Sequence, residues 1–220
     1  MASIQRDFLL HTYEACGNKL PPELAHPFKI IALDWDGTAV MSRREDATLV
    51  RDLMDRLLSQ GVLIVIITGT NFANIDRQLS ATIQGPQKRN LYILTNRGSE
   101  FYGFDAAAQP VLLYRRVATP EEDRLLTEVA DTVRDAVVAQ TGLSIEVIYD
   151  RLNRRKIDLI SVPEWRDPPK SMIGELLKAV QARLQGAGLS GGIQAVFDLA
   201  GKVAREKGLT CARVTSDVKH

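Results

Sequence analysis

Short runs of consecutive apolar residues recur in the first half of the chain. They occupy positions 30–33, 62–67 and 91–94, and each is followed by a polar or glycine-containing turn. Unbroken apolar runs of this length are typical of strands that are buried on both faces of a parallel sheet. The sequence therefore predicts three buried strands in the first hundred residues.

Between these runs, apolar residues recur at helical spacing. Leucine or valine at positions 49, 50, 53, 57 and 58 predicts a crossover helix, and Gly61 is predicted to end it in the left-handed conformation. A second helix is predicted over residues 72–83. Strands alternating with helices predict an α/β fold with a doubly wound parallel, Rossmann-like sheet.

The pattern changes after position 105. Thr119, Pro120 and Glu122 form a helix start with an N-cap, a proline at the first helical position and a glutamate three residues after the cap. Two strands joined by a short turn predict an antiparallel hairpin, which is typical of an α+β unit. The predicted strands span 144–149, 156–161 and 211–216, and the predicted helices after Thr119 span 171–184 and 193–207.

These patterns divide the chain into four segments. Residues 1–27 are an N-terminal extension with a short predicted helix at 8–15, and residues 28–105 are the α/β core. Residues 106–210 form an inserted α+β domain, and residues 211–220 are a return segment toward the core.

Composition excludes several classes of partner. Lysine plus arginine number 28 against 27 aspartate plus glutamate, so net charge attracts the chain neither to nucleic acid nor to an anionic membrane. The longest apolar run, 62–67, is far shorter than the roughly 20 residues of a membrane-spanning helix. Cys16 and Cys211 stand far apart, which fits reduced thiols and predicts a cytoplasmic location.

The most informative segment is Asp34-Trp35-Asp36-Gly37-Thr38. Side chains two positions apart on an extended segment share a face, and the carboxyl ends of strands are where open α/β sheets bind ligands. Two neighbouring carboxylates repel unless a cation or proton lies between them. The pair predicts chemistry, and the alternative is an ordinary Asp-Gly turn with a capping aspartate.

Residues 30–38 closely resemble the opening motif of phosphatases of the haloacid dehalogenase superfamily, in which apolar residues precede D-x-D-G-T. The resemblance implies that Asp34 is the nucleophile for the phosphoryl group and that Asp36 is the general acid and base. It also implies Mg²⁺ as cofactor, with Asp34 and Asp36 as its ligands. Dehalogenases of the superfamily lack the second aspartate, so Asp36 favours phosphoryl transfer.

Thr68-Gly69-Thr70, at the end of the second predicted strand, resembles the superfamily's second motif. The resemblance implies that the Thr68 hydroxyl and the N–H groups of Gly69 and Thr70 bind phosphate. By itself a Thr-Gly-Thr turn is a weak signal, because many strands end in such a turn without a ligand. Its position, about thirty residues after the first motif, makes the resemblance more specific.

Two further segments are weaker candidates for substrate contacts. Asn96 and Arg97 follow the third strand, in a segment that resembles, together with residues 101–104, the strand and hairpin after which superfamily members with the larger α/β cap place that cap; a plain hairpin role is the simpler interpretation. Residues 150–156 form a basic turn on the second domain. If this turn overhangs Asp34, Arg154 could hold an anionic or polyol substrate; a solvated hairpin tip is the simpler interpretation.

The superfamily completes its site with a lysine after the cap and an acidic metal-binding loop, and this sequence contains no matching segment. Truncation, a partner that supplies the segment and loss of the chemistry are the three explanations, with truncation favoured. We expect little or no phosphatase activity from these 220 residues alone. We also expect the first strand to lie at an open sheet edge, which the N-terminal extension, the C-terminal strand or a second copy in a homodimer would cover.

The sequence thus predicts a capped phosphatase of the sugar-phosphatase type (subfamily IIB), with an α/β core and an α+β cap. Its substrate is expected to be a small phosphorylated metabolite that carries a phosphomonoester. The resemblance implies a sugar phosphate. The alternative is a catalytically incomplete or truncated binding module of the same fold.

Overall fold

The computed structural model describes residues 27–40, 45–159 and 172–215, and isolated positions between 11 and 19. The strands of this part are β1 (Ile30–Asp34), β2 (Leu63–Ile67), β3 (Leu91–Thr95), β4 (Glu100–Phe104), β5 (Pro110–Arg115), β6 (Glu146–Arg151) and β7 (Arg154–Asp158). Its α-helices are α1 (Thr48–Ser59), α2 (Phe72–Ile75), α3 (Pro120–Thr141), α4 (Ile173–Gly186) and α5 (Gly192–Glu206). A π-helical turn, Asp76–Ser80, continues α2.

The first five strands form one sheet in the order β1-β2-β3-β4-β5. Strands β1, β2 and β3 are parallel, and β4 and β5 are antiparallel additions. Asp34 is in register with Ile67, and Ile67 with Leu94. Three parallel strands therefore end at the same edge of the sheet, and the predicted α/β fold class is confirmed.

One face of this sheet carries the first hydrophobic core. Alternate strand residues such as Ile64, Ile66 and Ile93 are fully buried there. They share a cluster with Met54 and Leu58 of α1 and with apolar residues of α2 and its π-helical continuation. Gly61, with φ of +82°, ends the α1 region as predicted. The apolar stripe of α1 and the apolar residues on this face of the strands thus bury each other.

The opposite face of the same sheet is much more open, so the predicted burial on both faces is wrong for β1 and β2. Ile67 lies on the central strand β2, yet 44% of it is exposed, and Ile30 on β1 is 57% exposed. Leu113 and Tyr114 of β5 are more than half exposed as well. Among the described residues β1 pairs with β2 alone, which agrees with the prediction that it lies at a sheet edge.

A second hydrophobic core lies between α3, α4, α5 and the β6–β7 hairpin. It is built by residues such as Val133, Leu184 and Val203. Helix α3 begins with the predicted capping box, in which Thr119 Oγ1 accepts the Glu122 N–H and Glu122 accepts the Thr119 N–H. The hydrogen bond from the Thr119 N–H is the main reason why the pKa of Glu122 lies below its ordinary value.

Some predicted elements differ from those observed. The strand predicted at 211–216 is wrong, because residues 211–215 pair with neither sheet. The helix predicted at 72–83 changes to π-helical geometry after Ile75 and ends at Ser80. Strand β5 was not predicted, and it extends the first sheet beyond position 105. Most of the helix predicted at 8–15 lies outside the described residues, and the domain limits stay a prediction.

None of the helices within the described ranges is both long enough and apolar enough to cross a bilayer.

Candidate active site

The two aspartates of the first motif flank the carboxyl end of β1. Asp34 is the last residue of the strand and Asp36 is the second residue after it. The chain then turns back around the Trp35 carbonyl, which accepts the N–H groups of Thr38, Ala39 and Val40 at 3.1 to 3.3 Å. This compact turn keeps both aspartates beside the sheet edge, where they are half-buried.

The second motif lies next to the first. The Thr68 hydroxyl donates to Asp36 Oδ2 at 2.9 Å, and the Thr70 N–H donates to Thr68 Oγ1 at 3.2 Å. Both threonines are at least 97% buried, since their exposed fractions are 1% and 3%. The parallel pairing of β1 and β2 therefore brings together residues that are 32 positions apart in sequence.

The residue between the two aspartates supports the pair, and the sequence did not predict this role. Trp35, between the two aspartates, is fully buried, and its indole N–H donates to Gln78 Oε1 at 2.9 Å. The Gln78 amide donates in turn to the Glu45 carbonyl at 3.0 Å. Gln78 lies in the π-helical turn, and such turns often occur at functional sites. The sequence carries no signal for this contact, because a π-helical turn has no simple pattern.

Gln78→Leu is expected to destabilise the fold by about 1–3 kcal/mol, because it leaves the buried indole N–H without its acceptor. Urea unfolding measures the change. Gln84→Leu is the matched control, because the Gln84 amide donates only to the Ala81 carbonyl at an exposed position. Equal stability of Gln78→Leu and the parent protein would contradict the supporting role.

The turn between β3 and β4 is bonded to the second motif. The Asn96 N–H donates to the Thr70 carbonyl at 2.8 Å, and the Arg97 N–H donates to the Thr68 carbonyl at 3.0 Å. The Asn96 side chain donates instead to the buried Glu100 at 2.7 Å. Asn96 thus has the structural contacts of a hairpin residue, which was the simpler of its two interpretations.

The basic turn of the β6–β7 hairpin reaches the same place. Arg154 Nη2 donates to the Gly69 carbonyl at 3.3 Å. Its neighbour Asn153 donates to Ser99 Oγ at 3.0 Å and to the Arg116 carbonyl at 2.7 Å. The interpretation of this turn as a solvated hairpin tip is therefore wrong, because long-range contacts dock it on the first sheet.

The available metal ligands are few. Within residues 27–40, 45–159 and 172–215, no three His, Cys, Asp or Glu side chains come together. Asp34 and Asp36 provide two carboxylates at one strand end. Mg²⁺ commonly binds through one or two carboxylates plus water and substrate phosphate. The donor set therefore fits Mg²⁺ and suits it better than a thiol- or imidazole-preferring metal.

Comparison with known proteins gives a likeness in structure only. No protein-family model matches the chain, and no curated protein matches it. The IMP-nucleotidase of Plasmodium falciparum is similar over 83% of this chain, with a TM-score of 0.51 and 10% identity. The chain spans 43% of the nucleotidase's length. At this identity the likeness shows the fold alone.

A second solved structure is similar over a shorter stretch. It is a haloacid dehalogenase-like hydrolase from Bacteroides thetaiotaomicron, 25% identical over 49% of this chain and 38% of that protein, with a TM-score of 0.36. The fold therefore rests on the nucleotidase and on the sheet order. The predicted α/β fold is confirmed by this likeness and by the strand order, and the resemblance to the haloacid dehalogenase superfamily stays a prediction.

Proposed function

We propose that the chain provides the phosphoryl-transfer site of a phosphomonoester hydrolase. The observation that carries the proposal is the hydrogen bond from Thr68 to Asp36, which joins the two predicted motifs at the carboxyl edge of the parallel strands. That edge is the usual ligand-binding position of an open α/β sheet. The fold shared with a nucleotidase agrees with the proposal.

Each aspartate has a distinct role in the proposed reaction. A carboxylate oxygen of Asp34 attacks phosphorus, and the bond from phosphorus to the ester oxygen breaks. Asp36 gives its proton to that leaving oxygen. Asp36 then takes a proton from water as the water attacks the aspartyl phosphate, which releases inorganic phosphate and restores Asp34.

Asp34 and Asp36 are also the residues proposed to hold Mg²⁺, Asp36 through the carboxyl oxygen that does not carry the transferred proton. When bound, this ion would offset negative charge between the two carboxylates and the phosphate. Both side chains are half-buried at the sheet edge, so solvent screens them less than it would on an open surface.

Thr68, Gly69 and Thr70 are proposed to bind the phosphate through the Thr68 hydroxyl and the two following N–H groups. Thr68→Ala is expected to weaken phosphate or vanadate binding by roughly 1.5–3 kcal/mol, the value of one charge-assisted hydrogen bond. Calorimetry with Mg²⁺ present measures it. Thr82→Ala is the control, because the Thr82 hydroxyl donates to the Leu79 carbonyl, away from both motifs. Unchanged affinity in Thr68→Ala would assign Thr68 to the turn alone.

The proposed function is tested by hydrolysis of 4-nitrophenyl phosphate with and without Mg²⁺, together with a Mg²⁺ titration. The account predicts hydrolysis, however slow, that depends on Mg²⁺ and on Asp34. The rival is a binding module of the same fold. A chain that shows neither Mg²⁺ affinity nor Mg²⁺-dependent hydrolysis would exclude the phosphatase and leave the module.

The substrate proposed here is a small phosphorylated metabolite, with sugar phosphates as the first class to test. The proposed location is the cytoplasm, where such metabolites and the reduced thiol of Cys211 would both occur.

A second copy of the chain is proposed to cover the open edge of β1. Ile30→Lys is expected to raise the dimer dissociation constant roughly 10- to 100-fold, because it places a charge on that edge. Sedimentation equilibrium measures the constant. Leu49→Lys is the control, since Leu49 is 72% exposed on α1. A parent chain that is monomeric at all tested concentrations would contradict the proposal.

A further inference from the structure

Two arginines from separate elements converge on Gly69, in the middle of the second motif. A Cβ added at Gly69 would lie 3.8 Å from both Cγ and Nε of Arg97, so the Arg97 side chain passes directly over this glycine. From the other domain, Arg154 Nη2 donates to the Gly69 carbonyl. The turn that is proposed to bind phosphate therefore has two guanidinium side chains as neighbours.

The position of Arg97 is imposed by its backbone. Asn96 and Arg97 have φ values of +49° and +59°, a left-handed conformation that side chains other than those of asparagine and aspartate adopt infrequently. Backbone hydrogen bonds from both residues to the Thr68–Thr70 turn hold the chain in it. Strain of this kind is often found at ligand sites. Arg97 Nη1 also donates to Thr215 Oγ1, which further fixes the guanidinium.

The position of Arg154 is imposed by its neighbour. Asn153 is also left-handed, with φ of +56°, and its side chain makes three hydrogen bonds. Besides its two donated bonds to Ser99 and Arg116, it accepts the Ala118 N–H at 2.6 Å. These contacts dock the hairpin on the segment that leaves β5, and they place Arg154 at Gly69 without help from a ligand.

The chemistry of guanidinium groups indicates what these residues can bind. Each carries five N–H donors in a planar fork that matches the oxygens of carboxylate and phosphate groups. The scissile phosphate already has the Thr68 hydroxyl and two N–H groups as proposed donors. The arginines are therefore suited to a second anionic group on the same substrate.

We propose that Arg97 and Arg154 form a second anion subsite, so that the preferred substrates are phosphomonoesters bearing an additional carboxylate or phosphate. This inference rests on the proposed phosphatase function and narrows its substrate class from phosphorylated metabolites in general to doubly anionic ones. Monophosphates of sugars that carry no other charged group are then expected to be poor substrates.

The test compares matched pairs with Mg²⁺ present. 3-Phosphoglycerate and glycerol 3-phosphate differ by a carboxylate, and fructose 1,6-bisphosphate and fructose 6-phosphate differ by a phosphate. Initial rates of phosphate release and calorimetric binding are measured for all four. The expected preference for the doubly anionic member is roughly 10- to 100-fold, the value of one charge-assisted hydrogen bond to a charged group. The pair that shows it identifies the second anion.

Variants assign the preference to the two arginines. Arg154→Gln and Arg97→Asn are expected to reduce it toward unity by raising KM or Kd for the doubly anionic member alone; asparagine tolerates the left-handed backbone. Arg155→Gln is the matched control, because Arg155 pairs with Asp123 and donates to Thr127 on α3. Thermal unfolding of each variant confirms that it is folded.

The possible failures are distinguishable. Equal rates and affinities within both pairs, or a preference that survives both substitutions, would overturn the second subsite and leave the phosphatase intact. If none of the four compounds is hydrolysed and none shows Mg²⁺-dependent binding, the proposed function itself is overturned, and the inference with it.

Discussion

Asp34→Asn is expected to lower the hydrolysis of 4-nitrophenyl phosphate to below detection. An amide lacks the anionic oxygen that attacks phosphorus, and its remaining oxygen is a weaker Mg²⁺ ligand than a carboxylate. The fold should survive, because asparagine has nearly the same size and β1 keeps its backbone pairing with β2.

Asp52→Asn is the matched control, since Asp52 lies exposed on α1. Its rate should equal that of the parent protein. Full activity in Asp34→Asn would contradict the assignment of the nucleophile, and equal losses in both variants would point to a nonspecific effect of charge.

Asp36→Asn is expected to lower turnover by roughly 10²- to 10⁴-fold, the usual contribution of a general acid and base. The loss should depend on the leaving group. Nitrophenolate leaves readily without a proton, so an aryl phosphate should lose less in the first step than an alkyl phosphate does. An equal loss of turnover for both substrates would indicate that Asp36 has a role in the reaction other than that of a general acid.

Local signals in the sequence predicted several elements correctly. The conformations of Gly61 and of the Thr119–Glu122 capping box depend on residues only a few positions away. Both have the predicted geometry. The parallel strands lie where the consecutive apolar residues predicted them, although the burial on two faces that such runs indicate is found on one face only, since Ile30 and Ile67 are exposed on the other. Register then follows from the pairing of β1 with β2, and it brings Asp36 and Thr68 together.

Contacts between distant segments could not be predicted in the same way. The bond from Trp35 to Gln78 depends on a π-helical turn, and the bond from Arg154 to Gly69 spans 85 positions. Strand β5 escaped prediction because all six of its residues are exposed, so it lacks the alternation that a half-buried strand shows. The strand predicted at 211–216 fails for the complementary reason, since apolar content alone does not supply a pairing partner.

The most direct test of the central claim is to locate the phosphoryl group on the protein. Asp36→Asn is mixed with Mg²⁺ and 4-nitrophenyl phosphate, quenched in acid, digested and examined by mass spectrometry. This variant is suitable because the aryl phosphate needs little acid assistance to form the intermediate, whereas its breakdown lacks the base. The account predicts one phosphoryl group on Asp34. Phosphate release without any modification of Asp34, or a phosphoryl group on another residue, would contradict it.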